Sequence, residues 1–197
     1  AHIPLYEREG DKNGYLGYQY KHWIRYQFTY GKWIKAGIMA SQDAGEPFFA
    51  GKNKWGYDYV SPYFLMRDCG RLKALALGRY RLRFGMGIVM NSSFSLGKQA
   101  SISSLGRSSQ GIFAHSSRQE YNYMQGAAAT VEAVRHLDLT GFVSYRKIDA
   151  TLNNDDNSIS TILKTGYHRT ISEMSRRRNA SQTIAGGNVR YHNNGFH

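Results

Sequence analysis

Three segments carry the residue types that acid–base chemistry uses. Asp43 and Glu46 fall in 43–56, His115 and Glu120 in 86–125, and His168, Arg169 and Glu173 in 150–181. Brought together, Glu120, Glu173 and His168 would make an acid–base group. They lie far apart in the chain, and nothing in their spacing sets their mutual distances. The expectation is therefore no catalytic residue, with Asp43, Glu46, Glu120 and His168 kept as motif residues without an assigned role.

Other chemistries are weaker still. The run Asn153-Asn154-Asp155-Asp156-Asn157 has the composition of a calcium loop but lacks the glycine and terminal glutamate of the helix-loop-helix pattern, and so reads as a solvated loop tip. Gly85-Met86-Gly87 and Gly97-Lys98 lack the spacing of a phosphate-binding loop. The single cysteine, Cys69, sits between Asp68 and Gly70 and reads as a turn residue, so neither a disulfide framework nor a Cys-x-x-Cys ligand pair exists. No metal and no cofactor are expected. The basic run Arg176-Arg177-Arg178, with Lys164 and Arg169 nearby, suits contact with anionic lipopolysaccharide or polymeric anions. Aromatic residues do not interleave with it, so bases would find no stacking platform there.

The elements that must position these residues are strands. The chain holds 15 Tyr, 9 Phe and 3 Trp beside 21 Gly and 3 Pro, a balance of strand formers and turn formers, and its formal net charge is +12. Such a charge attracts nucleic acid, anionic lipid or acidic polysaccharide alike. No apolar run is long enough for a transmembrane helix, and no basic-then-apolar leader is present, which leaves strands as the only spanning option. The opening Ala1-His2-Ile3-Pro4 reads as a processed or excised start.

Alternation between turn signals predicts about eight strands, at 1–9, 16–30, 33–42, 57–67, 71–85, 126–134, 137–149 and 182–193. Short connections at Gly31-Lys32, Asp68-Cys69-Gly70 and Arg135-His136 alternate with long ones at 43–56, 86–125 and 150–181. An up-and-down barrel in an outer membrane sorts its loops this way, with tight turns at one rim and long loops at the other. Several of the predicted strands also exceed the usual 5–6 residues and reach the roughly 9–11 that a membrane strand needs. Aromatic residues fall near the strand ends, Tyr30 and Trp33 at a short turn and Phe48, Phe49, Trp55, Tyr57 and Tyr59 beside a long loop, as interfacial girdles would.

The faces divide by polarity. In 16–30, Tyr18, Tyr20, Ile24, Tyr26, Phe28 and Tyr30 share one side, and Gln19, Lys21, Arg25, Gln27 and Thr29 the other. In 71–85, Leu72, Ala74, Ala76, Gly78, Tyr80, Leu82 and Phe84 oppose Lys73, Leu75, Leu77, Arg79, Arg81 and Arg83. An arginine at the bilayer midplane costs roughly 2–4 kcal/mol, so the arginine side is expected to face a wet lumen and the apolar side lipid. The final Asn193-Asn194-Gly195 carries a strong hairpin signal and reads as a turn into a further strand, so the whole barrel is expected to exceed eight strands.

The motif Ser41-Gln42-Asp43-Ala44-Gly45-Glu46-Pro47-Phe48 resembles one in Bacteroidota proteins that carry helix-hairpin-helix repeats before a C-terminal barrel-like region. Similar stretches follow in the same order: Gly56-Tyr57-Asp58-Tyr59, Leu77 through Gly87, Glu120 through Ala128, Ser144 through Ala150, and Thr165 through Thr170. The resemblance spans most of the chain and implies an outer-membrane location. It carries over no catalytic residue, and nucleic acid enters only through flanking repeats outside this sequence.

The expectation is thus an all-β protein, residues 1–197 forming a single antiparallel up-and-down transmembrane β-barrel domain or a fragment of a larger one in the outer membrane of a Gram-negative bacterium. Its lumen would be lined by Lys21, Arg25, Lys35, Lys73, Arg79, Arg81, Arg83 and Arg146 and would admit or hold anionic material, with the 86–125 loop folding inward as a constriction. Partners would be outer-membrane lipid, lipopolysaccharide and other envelope proteins. Two rivals stay open: a soluble basic β-domain binding nucleic acid or polysaccharide, and a barrel enzyme acting on lipids with His168 and Glu120 or Glu173 at the mouth.

Overall fold

Alternating β-branched and aromatic residues favour extended backbone, and the chain spends them on one large antiparallel sheet. The computed structural model describes residues 1–2, 4–51, 53–54, 56–87, 89–92 and 109–192. Seven strands form the main path: β1 (His22–Tyr30), β2 (Ile34–Gln42), β3 (Tyr59–Cys69), β4 (Leu72–Phe84), β7 (Met124–Val134), β8 (Leu137–Ile148) and β11 (Ala180–Tyr191). Each pairs antiparallel with the next, and β1 and β11 are the two edges of an open sheet. The short strands β5 (Met90–Asn91) and β6 (Gly111–Ala114) pair with the far half of β4, bringing the sheet to nine strands. A separate hairpin, β9 (Ala150–Leu152) with β10 (Ile159–Ile162), two single-turn helices, α1 (Glu9–Lys12) and α2 (Ile171–Ser175), and a 3-10 turn (Gly85–Gly87) complete the described elements.

The predicted segments correspond to the seven long strands with shifted ends, and four expectations need correction. Residues 1–9 do not form a strand: His2 makes an isolated bridge to Lys21, and Asp11 takes the Arg8 backbone N–H at 2.9 Å, which starts α1 instead. The segment before His22 is also not strand, because its backbone is used by the loops. Leu16 N–H donates to the Arg169 carbonyl, Gly17 N–H to that of Gly45, and Gly45 N–H to that of Tyr18. The loops 86–125 and 150–181 are not plain loops, since they contain β5, β6, β9, β10 and α2. The turn predicted at 193–195, Trp55 and Gly97-Lys98 lie outside the described residues.

The fourth correction concerns β4. Its row Ala74, Ala76, Tyr80, Leu82 and Phe84 was expected against lipid, yet it is buried in the core with Tyr63, Leu65, Ile112, Ala114 and Ala128. The reason is a bend. Up to Gly78, β4 pairs with β3 on one side and β7 on the other; beyond it, the pairing with β3 stops and Tyr80–Arg83 pair with β6. Ala74 and Phe84 line one cavity, although ten residues of straight strand would separate them by about 33 Å. The far half of β4, with β6, therefore curls across the inner face of the sheet as a second layer. Partly buried Phe142 of β8 and Ile184 of β11 pack against it.

Gly78 allows the bend. Its φ is +81°, and a Cβ there would lie 2.6 Å from the Pro62 carbonyl oxygen. Pro62 of β3, for its part, has no N–H to offer a departing neighbour. We expect Gly78→Val to cost on the order of 1–3 kcal/mol by combining backbone strain with the clash. Unfolding midpoints in a denaturant titration check this, and a midpoint equal to that of the unmodified chain contradicts the account of the bend.

Candidate functional site: a charge cluster at the long-loop rim

Up-and-down pairing puts the β2–β3, β4–β7 and β8–β11 connections at one rim. Asp43 and Glu46 come from the first, Glu120 from the second and His168 from the third, so the rim brings together all four motif residues. Strand ends add Asp58, just before β3, and Asp149, just after β8.

His168 is the centre and is almost wholly buried. Its Nδ1 lies 2.5 Å from Asp58 Oδ2 and its Nε2 2.8 Å from Asp149 Oδ2, so both ring nitrogens donate and the ring is an imidazolium. Burial alone would lower its pKa, but the bonds and charges of the two aspartates carry it up to about 10. The backbone N–H of His168 donates to Glu46 Oε1 at 3.0 Å, while Asp43 N–H donates to Glu46 Oε2 at 2.8 Å. Asp58 Oδ1 takes Asn53 Nδ2 at 3.0 Å and pairs with Arg177 Nε at 3.1 Å; Asp149 Oδ1 takes the Arg178 N–H at 2.7 Å. Burial raises the pKa of both aspartates, yet the bond to His168 and the neighbouring donors hold each below its ordinary value.

Two acids go the other way. Glu46 is pushed up to about 7 by burial and by the charge of Asp58, against the two amides that bond it. Glu120 rises to about 9 by burial and the charges of Asp58 and Glu46. As a residue it is partly exposed, but its carboxyl is pressed on Gly166, where a Cβ would stand 2.9 Å from Oε2.

A cavity of about 160 Å³ opens beside this cluster, with Glu120, Asp149, His168, Arg79, Arg146 and Lys164 in its lining. Arg79 is 8% exposed, its guanidinium between the rings of Tyr59 and Tyr123 at 4.4 and 4.3 Å, and its Nε and Nη1 have no hydrogen-bond partner among the described residues. Arg146 donates to Gln182 at 2.9 Å and to the Tyr121 carbonyl at 2.6 Å.

Glu46, Asp58 and His168 also offer ligand atoms within 4.8 Å of one another. Those atoms already serve backbone amides, Asn53, Arg177 and the imidazolium, and a cation would have to displace positive charge to enter. The arrangement is an ion-pair network that ties three loops together.

The remaining predicted residues are dispersed. Lys21 precedes β1 and pairs with Asp43 at the rim; Arg25 reaches the Ser116 carbonyl at 3.1 Å; Lys73 pairs with Glu132 at 2.6 Å. Lys35 and Arg81 line a further cavity with Arg67, and Arg83 pairs along β4 with Gly111 and Asn91. Glu173 belongs to local structure: it caps α2 through Thr170 and pairs with Arg169 at 3.2 Å. Arg178 Nη2 donates to the Asp58 carbonyl at 3.1 Å, while Arg176 is exposed at the end of α2. Cys69 closes β3 rather than forming the turn, and is exposed. His115 is fully buried, its Nε2 3.1 Å from Tyr59 Oη, and burial depresses its pKa to about 4.

Sequence reasoning missed Asp58, Asp149 and Asn53. The available signal was positional, since both aspartates adjoin strand ends that open onto the same rim. No family model, curated protein or solved structure matches the chain.

The pH dependence of stability follows from these groups. The raised pKa of His168 gives a contribution that is complete below its ordinary 6.5 and lost as pH rises toward about 10. The raised values of Glu46 and Glu120 make the folded chain bind protons more tightly too, so stability falls as pH climbs from their ordinary 4.5 to about 7 and about 9 respectively. The lowered Asp58 and Asp149 add stability above their ordinary 3.8 that disappears below it. Glu120→Gln, which cannot ionise, is expected to gain stability over the unmodified chain progressively from pH 6 to pH 9. Thermal midpoints at pH 5, 7 and 9 test this, and two parallel curves would contradict it.

Proposed function

We propose that the chain forms part of the wall of a transmembrane β-barrel in a bacterial outer membrane, and that it acts without catalysis by holding or passing anionic material on its basic inner face. The observation that carries this reading is the polarity of the sheet. One row of paired residues runs Phe28, Ala36, Phe64, Leu77, Ala127, Val143, Ala185 across all seven strands, and the next runs Tyr30, Ile34, Met66, Leu75, Ala129, Gly141, Gly187. Neither row contains a charge. Phe28 is 51%, Leu77 44% and Val143 50% exposed.

The opposite face carries Arg25, Lys35, Arg67 and Arg146, and also buried Ser61, Asp138, Thr140 and Ser144. An uncharged, solvent-open outer face backing an inner face that carries these charges beside the apolar core under β6 suits strands that meet lipid. It weighs against the soluble basic β-domain, whose exposed face would be the charged one. His168 weighs against the enzyme reading, since an imidazole with both nitrogens bonded to carboxylates has no lone pair to accept a substrate proton. The inner layer formed by β4 and β6 narrows the space over the basic face.

The full-length protein is expected in the membrane fraction, released by detergent and migrating differently on gels before and after boiling. Phe28→Arg, on the outer row, is expected to lower the inserted fraction, since such a charge costs roughly 2–4 kcal/mol near the midplane. Thr29→Arg, on the inner face, is expected to leave insertion unchanged. In planar bilayers the protein is expected to favour anions. A chain that stays in solution without detergent, with one gel mobility, contradicts the location; insertion without any preference for anions contradicts the role.

A further inference from the structure

The bend of β4 leaves a gap in the sheet. Beyond the Tyr63–Gly78 pair, β3 keeps β2 as its paired neighbour, and a crevice of about 530 Å³ opens between β3 on one side and β7 and β8 on the other. Its two ends differ. Val60, Pro62 and Tyr145 line it from the outer side, where Val60 and Pro62 continue the rows of Ile24 and Tyr26 and Tyr145 is exposed. Arg79 and Arg146 line it toward the interior, together with Arg177 and Arg178, while Lys147, on the outer side of β8 with Tyr145, is exposed at its mouth. The one carboxylate in this lining, Asp58, is already engaged by His168, Asn53 and Arg177.

Arg79 points to what the crevice receives. It lies where β4 departs, more than nine-tenths buried between two tyrosine rings, with Nε and Nη1 lacking an acceptor among the described residues. A buried guanidinium with two nitrogens left without acceptors is costly, and phosphate oxygens match its fork. A free anion has no use for the apolar mouth; a molecule with an acyl chain does.

We propose that this crevice binds a phosphate-bearing lipid of net negative charge, its phosphate at Arg79 and Arg146 with Lys147 at the mouth, and its acyl chain leaving past Val60 and Pro62 onto the outer face. The proposal deepens the membrane reading, on which it rests for its source of lipid. The crevice is a lateral port for headgroups, distinct from the inner face covered by β6.

Isothermal titration of the full-length protein in non-ionic detergent tests it, using dihexanoyl phosphatidic acid, dihexanoyl phosphatidylcholine and inorganic phosphate. Expected is one saturable site per chain for phosphatidic acid, at least about tenfold tighter than for either control, and weakened about tenfold in Arg79→Gln. Lys147→Gln changes an exposed side chain, keeps the fold, and is expected to weaken binding severalfold. Inorganic phosphate bound as tightly as the lipid would make this a simple anion site and overturn the proposal, as would lipid binding unchanged in Lys147→Gln. The two readings separate cleanly because the short-chain lipid needs no bilayer. A chain that inserts into membranes but shows no preference for phosphatidic acid loses the crevice alone, whereas one that needs no detergent loses the membrane reading.

Discussion

Every strand in a sheet must satisfy two edges of backbone, and β4 does so with two different sets of neighbours. Its near half is held by β3 and β7, its far half by β5 and β6, and the change falls at Gly78 opposite Pro62. From this one departure come the inner layer, the buried position of Arg79 and the gap on the outer side. Tyr80, just past the bend, ties the far half of β4 to β7 and β8. Its hydroxyl reaches the carbonyls of Ala127 and Val143, at 3.2 and 2.7 Å.

The three long loops of the rim are tied to one another by charge. His168 joins Asp58 and Asp149, Glu46 accepts amides from two loops, and Arg177 and Arg178 close the cluster from the segment after α2. A buried carboxylate is tolerable only when donors surround it, and here each aspartate has them. Glu120 does not share those donors, which is why burial pushes its pKa up instead. Network and crevice meet at Asp58 and Arg178, so loops that look unstructured in the sequence shape the inner end of the lipid port.

Much of the fold was legible because alternation has a period of two and leaves a trace in the residues themselves. The seven long strands, their order and the short turns could be read from that pattern, and the resemblance to barrel-like regions agreed with it without being tested by any match. The facing of β4 was not legible. A row of alanine and leucine suits lipid and a protein core equally well, and only the bend at Gly78 turns it inward. In the site, Glu46, Glu120 and His168 were marked as residues without a role, and their meeting at one rim depended on pairing that no local pattern encodes. Asp58 and Asp149 were hidden inside the predicted strands 57–67 and 137–149, where alternation assigns them no role.

The account stands on the claim that the outer rows touch acyl chains while the basic side touches water. Spin labels report this directly. With Cys69 replaced by serine, single cysteines at Phe28, Leu77 and Val143 can be compared with ones at Thr29 and Lys35 in reconstituted bilayers. The outer three are predicted to relax faster with dissolved oxygen than with a water-soluble nickel chelate, and the inner two the reverse. Equal access of the nickel chelate to both sets would contradict the account.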